Sequence, residues 1–213
     1  IGGTMLDPKE EARFDELKSK CRELKVPAPP EIMIRLQVHE GGVLTLDDVQ
    51  RAHSWVRNMW NMLAQVGLGN IAGSTYAAGS LSGKRIAGSI INTLSADLIS
   101  YASILVGTGD TASTILDYTL ITPIASGNGA GQLLANTMVH GTPSYAAKTW
   151  TAINYQIFNN NSGGSITVKE VAIAGTANAI IAERSVLSPT VAVANGAQLT
   201  VTYEISMDFS AID

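Results

Sequence analysis

The stretch Leu199-Thr200-Val201-Thr202-Tyr203-Glu204-Ile205-Ser206-Met207 alternates apolar and polar side chains without a break. A period of two puts Leu199, Val201, Tyr203, Ile205 and Met207 on one face of a strand and the polar residues on the other. Asn195-Gly196 ahead of it has the chemistry of a tight turn. Working back along the chain, a run at 179–187 ends before Pro189. Earlier still, Ile153, Tyr155 and Ile157 alternate as an inward face, Asn159-Asn160-Asn161-Ser162-Gly163-Gly164 turns the chain, and Ile166 and Val168 open a return strand, the pattern of a hairpin. Near the start, Ile32, Ile34, Leu36 and Val38 alternate with Met33, Arg35 and Gln37 and stop at Gly41-Gly42. Short strands separated by turn signals specify a mainly β protein, an antiparallel β-sandwich of jelly-roll-like form.

Two segments read as helices. Asp7 and Pro8 supply an N-cap and a first-turn proline, and Phe14, Leu17, Cys21 and Leu24 recur at spacings of three and four, which predicts a helix over 8–25. Glu10 and Glu11 lie early and Lys18, Lys20, Arg22 and Lys25 late, in accord with the helix dipole. Pro27-Ala28-Pro29-Pro30 ends the helix in an extended linker. The second helix is expected over 47–66, where Val49, Ala52, Val56, Met59, Trp60, Leu63 and Val66 form one stripe, with Trp55 and Met62 adding bulk, to pack on the sheet. The chain therefore divides into a helical arm with its proline-rich linker, 1–30, and a sandwich domain, 31–213, that includes helix 47–66. Between 70 and 149, Gly, Ala, Ser and Thr interrupt every apolar run, and the candidate strands are 86–93, 102–107 and 119–125. The runs at 107–111 and 127–131 are glycine-rich loops.

Composition narrows the function. Of 213 residues, 46% are hydrophobic and only 15% charged, against about a quarter charged in ordinary soluble domains. Small side chains, Ala, Gly, Ser, Thr and Asn, cover the rest, which suits packing against copies of the same chain. Residues 1–60 hold 9 of the 14 Lys/Arg and 10 of the 18 Asp/Glu. A net charge of −4 without a basic stripe argues against nucleic-acid binding. No apolar run of about 18 residues marks a membrane span, and residues 1–25 lack the basic start and apolar middle of a secretory leader. Cys21 is the single cysteine, so no internal disulfide forms.

Catalytic signatures are few. His39, His53 and His140 are far apart and show no metal-ligand spacing. Gly79-Ser80-Leu81-Ser82-Gly83-Lys84-Arg85 is one residue short of a phosphate loop and has Arg85 where Ser or Thr should hold magnesium. Asp97, Asp110, Asp117, Glu170, Glu183 and Glu204 are the acids available to a glycosidase, yet residues 61–213 offer only Trp150, six tyrosines and two phenylalanines as sugar platforms. Glu170 falls by alternation on the face of Ile166 and Val168, where a carboxylate needs a partner; Arg184 is the expected one, in a structural ion pair. The expectation is a non-enzymatic protein with no cofactor and no metal.

Three stretches, in order, resemble bacteriophage virion structural proteins of the tail, fibre or head-decoration type. They are Ser54-Trp55-Val56-Arg57-Asn58-Met59-Trp60-Asn61; Ile104 to Ala112 with Asp117-Tyr118-Thr119-Leu120 and Pro123-Ile124; and Phe158 to Val171 with Arg184-Ser185-Val186-Leu187 and the strand from Leu199. The pattern spans roughly residues 31–207, and Ala172 departs from the glycine that the family has after Lys-Glu-Val. The resemblance implies a sandwich displayed on a particle, assembled as a homo-oligomer with copies of itself and other virion proteins, and located in the virion after synthesis in the host cytoplasm. It carries over no catalytic residue. Phe14, Leu17, Leu24, Trp55, Arg57, Trp60, Asp117, Tyr118, Glu170 and Arg184 are the candidate assembly or fold-determining residues. The alternatives are a host-surface or glycan-binding module using loops 127–132 and 159–164, and a subunit of a non-viral surface filament.

Overall fold

Leu199, Val201 and Tyr203 are wholly buried, as their alternation requires, in a mainly β protein whose two antiparallel sheets pack face to face. The computed structural model describes residues 8–26, 28–52, 103–175 and 180–210. In chain order the elements are α1 (Pro8–Leu24), β1 (Glu31–Glu40), β2 (Val43–Arg51), β3 (Ser103–Gly107), β4 (Leu134–Ala135), β5 (Val139–His140), β6 (Ser144–Ala146), β7 (Thr149–Asn159), β8 (Ile166–Gly175), β9 (Ile180–Val193) and β10 (Gln198–Asp208). One sheet runs β2-β1-β10-β7, with β4, β5 and β6 also paired to β7; the other runs β3-β8-β9. No described helix is long and apolar enough to cross a membrane.

The core between the sheets takes Ile32, Ile34, Leu36 and Val38 from β1, Leu199, Val201 and Tyr203 from β10, and Ile104, Val106, Val171 and Ile173 from the facing sheet. Full burial of each such side chain contributes roughly 1.5–3 kcal/mol. Gly41 and Gly42 end β1 as predicted, but the chain beyond them continues as a strand. The helix expected over 47–66 is overturned at its start, because residues 47–51 belong to β2 and pair with Met33 to Gln37 of β1. Alternation in Leu46, Asp48 and Gln50 explains the outcome: Asp48 and Gln50 are buried, with Gln50 donating to Asp48 at 2.6 Å and to the Pro189 carbonyl at 3.0 Å. Residues 53–66 of that helix, the strand at 86–93 and the glycine turn at 79–85 lie outside the described residues, as does the N-cap at Asp7.

The predicted hairpin at 153–168 is instead a crossing between sheets. β7 pairs with β10, whereas β8 pairs with β3 and β9. Asn160, fully buried, holds this crossing to the second one at 194–197. Its amide donates to the carbonyls of Gly164 (2.8 Å) and Val193 (2.7 Å), and its backbone carbonyl accepts the Gly196 N–H at 2.7 Å. Asn195-Gly196 is a tight turn, with Gly196 at φ +81° and the Ala197 N–H donating to the Ala194 carbonyl at 3.0 Å. The facing of β7 also differs from the sequence reading. Ala152, Gln156 and Phe158 point inward, while Ile153 is 43% exposed and Tyr155 and Ile157 are half-buried. Gln156 is stable in the inner position because it accepts the Ile104 N–H at 2.7 Å and donates to the Asn136 carbonyl at 2.7 Å, which joins β7 to β3 of the other sheet.

A second polar group sits in the core itself. Glu183 of β9 accepts from the Tyr203 hydroxyl at 2.8 Å and from the Ser185 hydroxyl, and all three residues are buried. Burial pushes the Glu183 carboxyl up to about 8, against smaller opposing pulls from Ser185, Tyr203 and Arg184. Burial, with Glu183 alongside, also raises the Tyr203 phenol well above its ordinary value. The folded state thus holds a proton that the unfolded chain releases near the ordinary value of 4.5. This contribution to stability is complete below that value and is lost as pH rises through about 8. Denaturant unfolding at pH 5 to 8 should therefore show stability falling with pH by up to about 1.4 kcal/mol per unit from this group. Glu183→Gln should flatten that slope, and an unchanged slope would show that Glu183 is not its source.

Candidate functional site

β8 contains the irregularity that builds the site. Ile166 and Val168 face the core, but the register with β9 slips between Val168 and Glu170, after which Val171 and Ile173 take the inward positions. Glu170 is thereby turned to the outer face of the sheet, not to the face of Ile166 and Val168 that simple alternation indicated. Arg184 of β9, whose neighbour across the ladder is Ala172, points to the same outer face. Both side chains are nonetheless fully buried, because the segment 107–123 folds over them.

The contacts under this segment are dense. Arg184 Nε donates to Glu170 Oε2 at 2.8 Å, its Nη1 to Asp117 Oδ2 at 2.8 Å and its Nη2 to the Thr111 carbonyl at 2.9 Å. Glu170 Oε1 also accepts the N–H of Gly109 (3.1 Å) and of Thr122 (2.8 Å), and Oε2 that of Ile121 (3.1 Å). One carboxylate therefore takes four donors, the condition under which a buried charge is tolerated. Asp117 accepts from the Thr114 N–H (3.0 Å) and the Thr114 hydroxyl (2.8 Å). Although burial opposes it, these bonds and the Arg184 guanidinium hold the Asp117 carboxyl below its ordinary range. Lys169, next to Glu170 in the strand, reaches Asp110 at 3.0 Å as an exposed pair.

The glycines of Gly107-Thr108-Gly109 have a steric reason. A Cβ on Gly107 would lie 2.5 Å from Glu170 Oε1 and 2.7 Å from the Thr122 carbonyl, and one on Gly109 would lie 2.6 Å from Glu170 Oε1. Segment 119–125, predicted as a strand, makes only an isolated bridge from Pro123 to Gly107. Its N–H groups at Ile121 and Thr122 go to Glu170 instead of a ladder. Leu120 is buried beneath it against Ala172, Ala174 and Ile181.

Of the residues singled out from the sequence, Asp117, Glu170 and Arg184 come together here, and Tyr118 is 42% exposed beside them. Trp55, Arg57 and Trp60 lie outside the described residues. Phe14 is on α1, with Arg51 4.3 Å and Lys18 4.6 Å from its ring centre. Leu17 and Leu24 do not join it in a buried stripe; they are 43% and 72% exposed. The docked face of α1 is set by charge: Arg51 pairs with Glu11 at 2.5 Å and with Glu31, and Lys18 lies 3.6 Å from Glu31. An open cleft of about 420 Å³ flanks Phe14, Leu17 and Arg51. Sequence reasoning missed Glu183 and Asn160 as core groups, although Asn160 lies in a run of three asparagines.

The fold and these contacts define a mainly β sandwich with a charge cluster buried beneath a loop. No family model, curated protein or solved structure matches the chain.

Removing one member of this cluster should cost far more than its surface counterpart. Arg184→Met leaves Glu170 buried without its guanidinium, and a loss of about 3–5 kcal/mol is expected in chemical denaturation. Asp110→Asn, at the exposed pair, should change stability by less than about 1 kcal/mol. Equal effects from the two substitutions would contradict the cluster's role.

Proposed function

We propose that the chain is a non-enzymatic structural subunit of a phage-type virion, associated with the head, tail or a fibre, and that it assembles with copies of itself. The observation that carries this reading is the use made of the resembling motifs. Gly107-Thr108-Gly109, Asp117, Glu170 and Arg184 are distant in sequence and converge on one buried cluster. Their charged groups are mutually satisfied there and shape a surface loop. Such residues serve the architecture of the domain, and their pattern is the one that resembles virion proteins. The charge-poor composition supports association with like surfaces, and α1 is held against the sandwich by Arg51.

Electron cryo-microscopy of the native particle, with mass spectrometry of its proteins, tests the reading. The chain is expected in repeated, symmetry-related copies, and its absence from purified particles would reject the proposal. In parallel, incubation with host surface polysaccharide should release no reducing sugar. Release that disappears in Asp110→Asn would identify a hydrolase instead.

A further inference from the structure

The helix α1 meets the sandwich along one narrow stripe. Glu11, Phe14, Lys18 and Cys21 follow one another at spacings of three, four and three, which puts them on one face. The first three reach Arg51 or Glu31, and Cys21 is buried further along the same face. Arg51, at the end of β2, donates to Glu11 Oε1 from Nη2 at 2.5 Å and from Nε at 3.2 Å, and pairs with Glu31 through Nη1. Its guanidinium also lies 4.3 Å from the Phe14 ring centre. Lys18 lies 4.6 Å from the same ring centre and 3.6 Å from Glu31 Oε2. The two leucines of the helix, Leu17 and Leu24, are exposed and add little to the contact. Charge, with one aromatic ring, holds the arm.

Two features make this contact reversible. The helix ends as a unit of its own: Lys25 takes φ +53°, its N–H donates to the Arg22 carbonyl at 3.2 Å, and the Val26 N–H donates to the Cys21 carbonyl at 3.0 Å. The chain is fixed to the sandwich at Ala28, which is buried and donates its N–H to the Asp208 carbonyl at 3.2 Å. Rotation about exposed Lys25 and Val26 therefore swings α1 without disturbing β1. The ion pairs, moreover, are open to water, since the side chains of Glu11, Lys18, Glu31 and Arg51 are 36, 26, 20 and 12% exposed and an open cleft borders Phe14 and Arg51. Salt screens such pairs, because the Debye length shrinks from about 10 Å at 0.1 M to about 3 Å at 1 M. The sandwich has an apolar core and a fully buried Arg184–Glu170 pair, which salt screens much less.

We propose that α1 is a releasable arm, clasped shut by Arg51 and opened by rising ionic strength while the sandwich stays folded. Opening parts Glu11 and Phe14 from Arg51 and uncovers the thiol of Cys21, the single cysteine of the chain. That thiol reports whether the arm is open. The device belongs to the single chain and does not depend on assembly.

Alkylation of Cys21 in the full-length chain by iodoacetamide, an uncharged reagent, tests it. The rate is taken relative to that of the urea-unfolded chain at the same pH and salt, which removes any effect of salt on the thiol itself. Between low salt and about 1 M sodium chloride this relative rate should rise on the order of tenfold, with the circular dichroism of the sandwich unchanged. Arg51→Met should label fast already at low salt and respond little to added salt. Glu11→Gln, a change confined to the arm, should label several-fold faster than the unaltered chain at low salt and respond less to added salt. If Arg51→Met does not fold, Glu11→Gln decides alone. A relative rate independent of salt, or a Glu11→Gln variant that labels like the unaltered chain, would overturn the clasp. Labelling that follows global unfolding across a denaturant series would overturn it as well, because Cys21 would then be reached only when the whole sandwich opens.

Discussion

The buried pairing of Arg184 with Glu170 is the constraint around which one side of the sandwich is organised. Taking both charges out of water costs several kcal/mol per ion, and their attraction offsets this only when every remaining lone pair and proton is used. The fold approaches the condition with backbone and with Asp117: three N–H groups from 109, 121 and 122 bond Glu170, and Asp117 and the Thr111 carbonyl accept from Arg184. Those groups are consequently unavailable to a regular ladder. The segment lies as an irregular cover because its hydrogen bonds are directed down into the cluster, and the glycines at 107 and 109 are required by how closely the backbone must approach the carboxylate.

The two buried acids of the neighbouring strands β8 and β9 show how surroundings decide a carboxyl's state. Glu170 meets a guanidinium and three N–H groups, whereas Glu183 meets two hydroxyls in an apolar core. Neutral hydroxyls do not compensate a full charge removed from water, so Glu183 keeps its proton to about pH 8. One acid thus ties a loop to a sheet as an ion, and the other ties β9 to β10 across the core as a neutral group. Neither difference is visible in the residue type.

Strands with unbroken alternation were legible: β1 and β10 lie where Ile32 to Val38 and Leu199 to Met207 put them, with the buried face assigned correctly from Ile32 to Val38 and from Leu199 to Tyr203. Reading failed where polar side chains take inner positions. Gln156 in β7 and Asp48 and Gln50 in β2 are buried because they hydrogen-bond to backbone or to each other, and hydrophobic periodicity has no means to anticipate that. The Glu170–Arg184 pair was anticipated although its face was not. A single register slip after Val168 moved Glu170 to the other side of the sheet, and Arg184 is on that side too. The run of asparagines at 159–161 signalled a turn, but whether a turn returns to its own sheet or crosses to the other depends on partners distant in sequence, here the 194–197 turn held by Asn160.

Burial alone is too weak to hold the loop at 111–121 in place. Ordering about ten residues costs roughly 1–2 kcal/mol each in backbone entropy, while Leu120, the one buried large apolar side chain in that segment, contributes about 1.5–3 kcal/mol. Directional bonds must supply the difference, and the ones present run to a buried ion-pair cluster, where hydrogen bonds to charged groups are stronger than those between neutral groups. The side chains of Ile115, Leu116 and Ile121 are about half exposed, so the loop is held by the bonds beneath it and by Leu120 more than by burial of these three. A loop held by its own apolar side chains would have had to bury them, and the same residues would then present nothing outward.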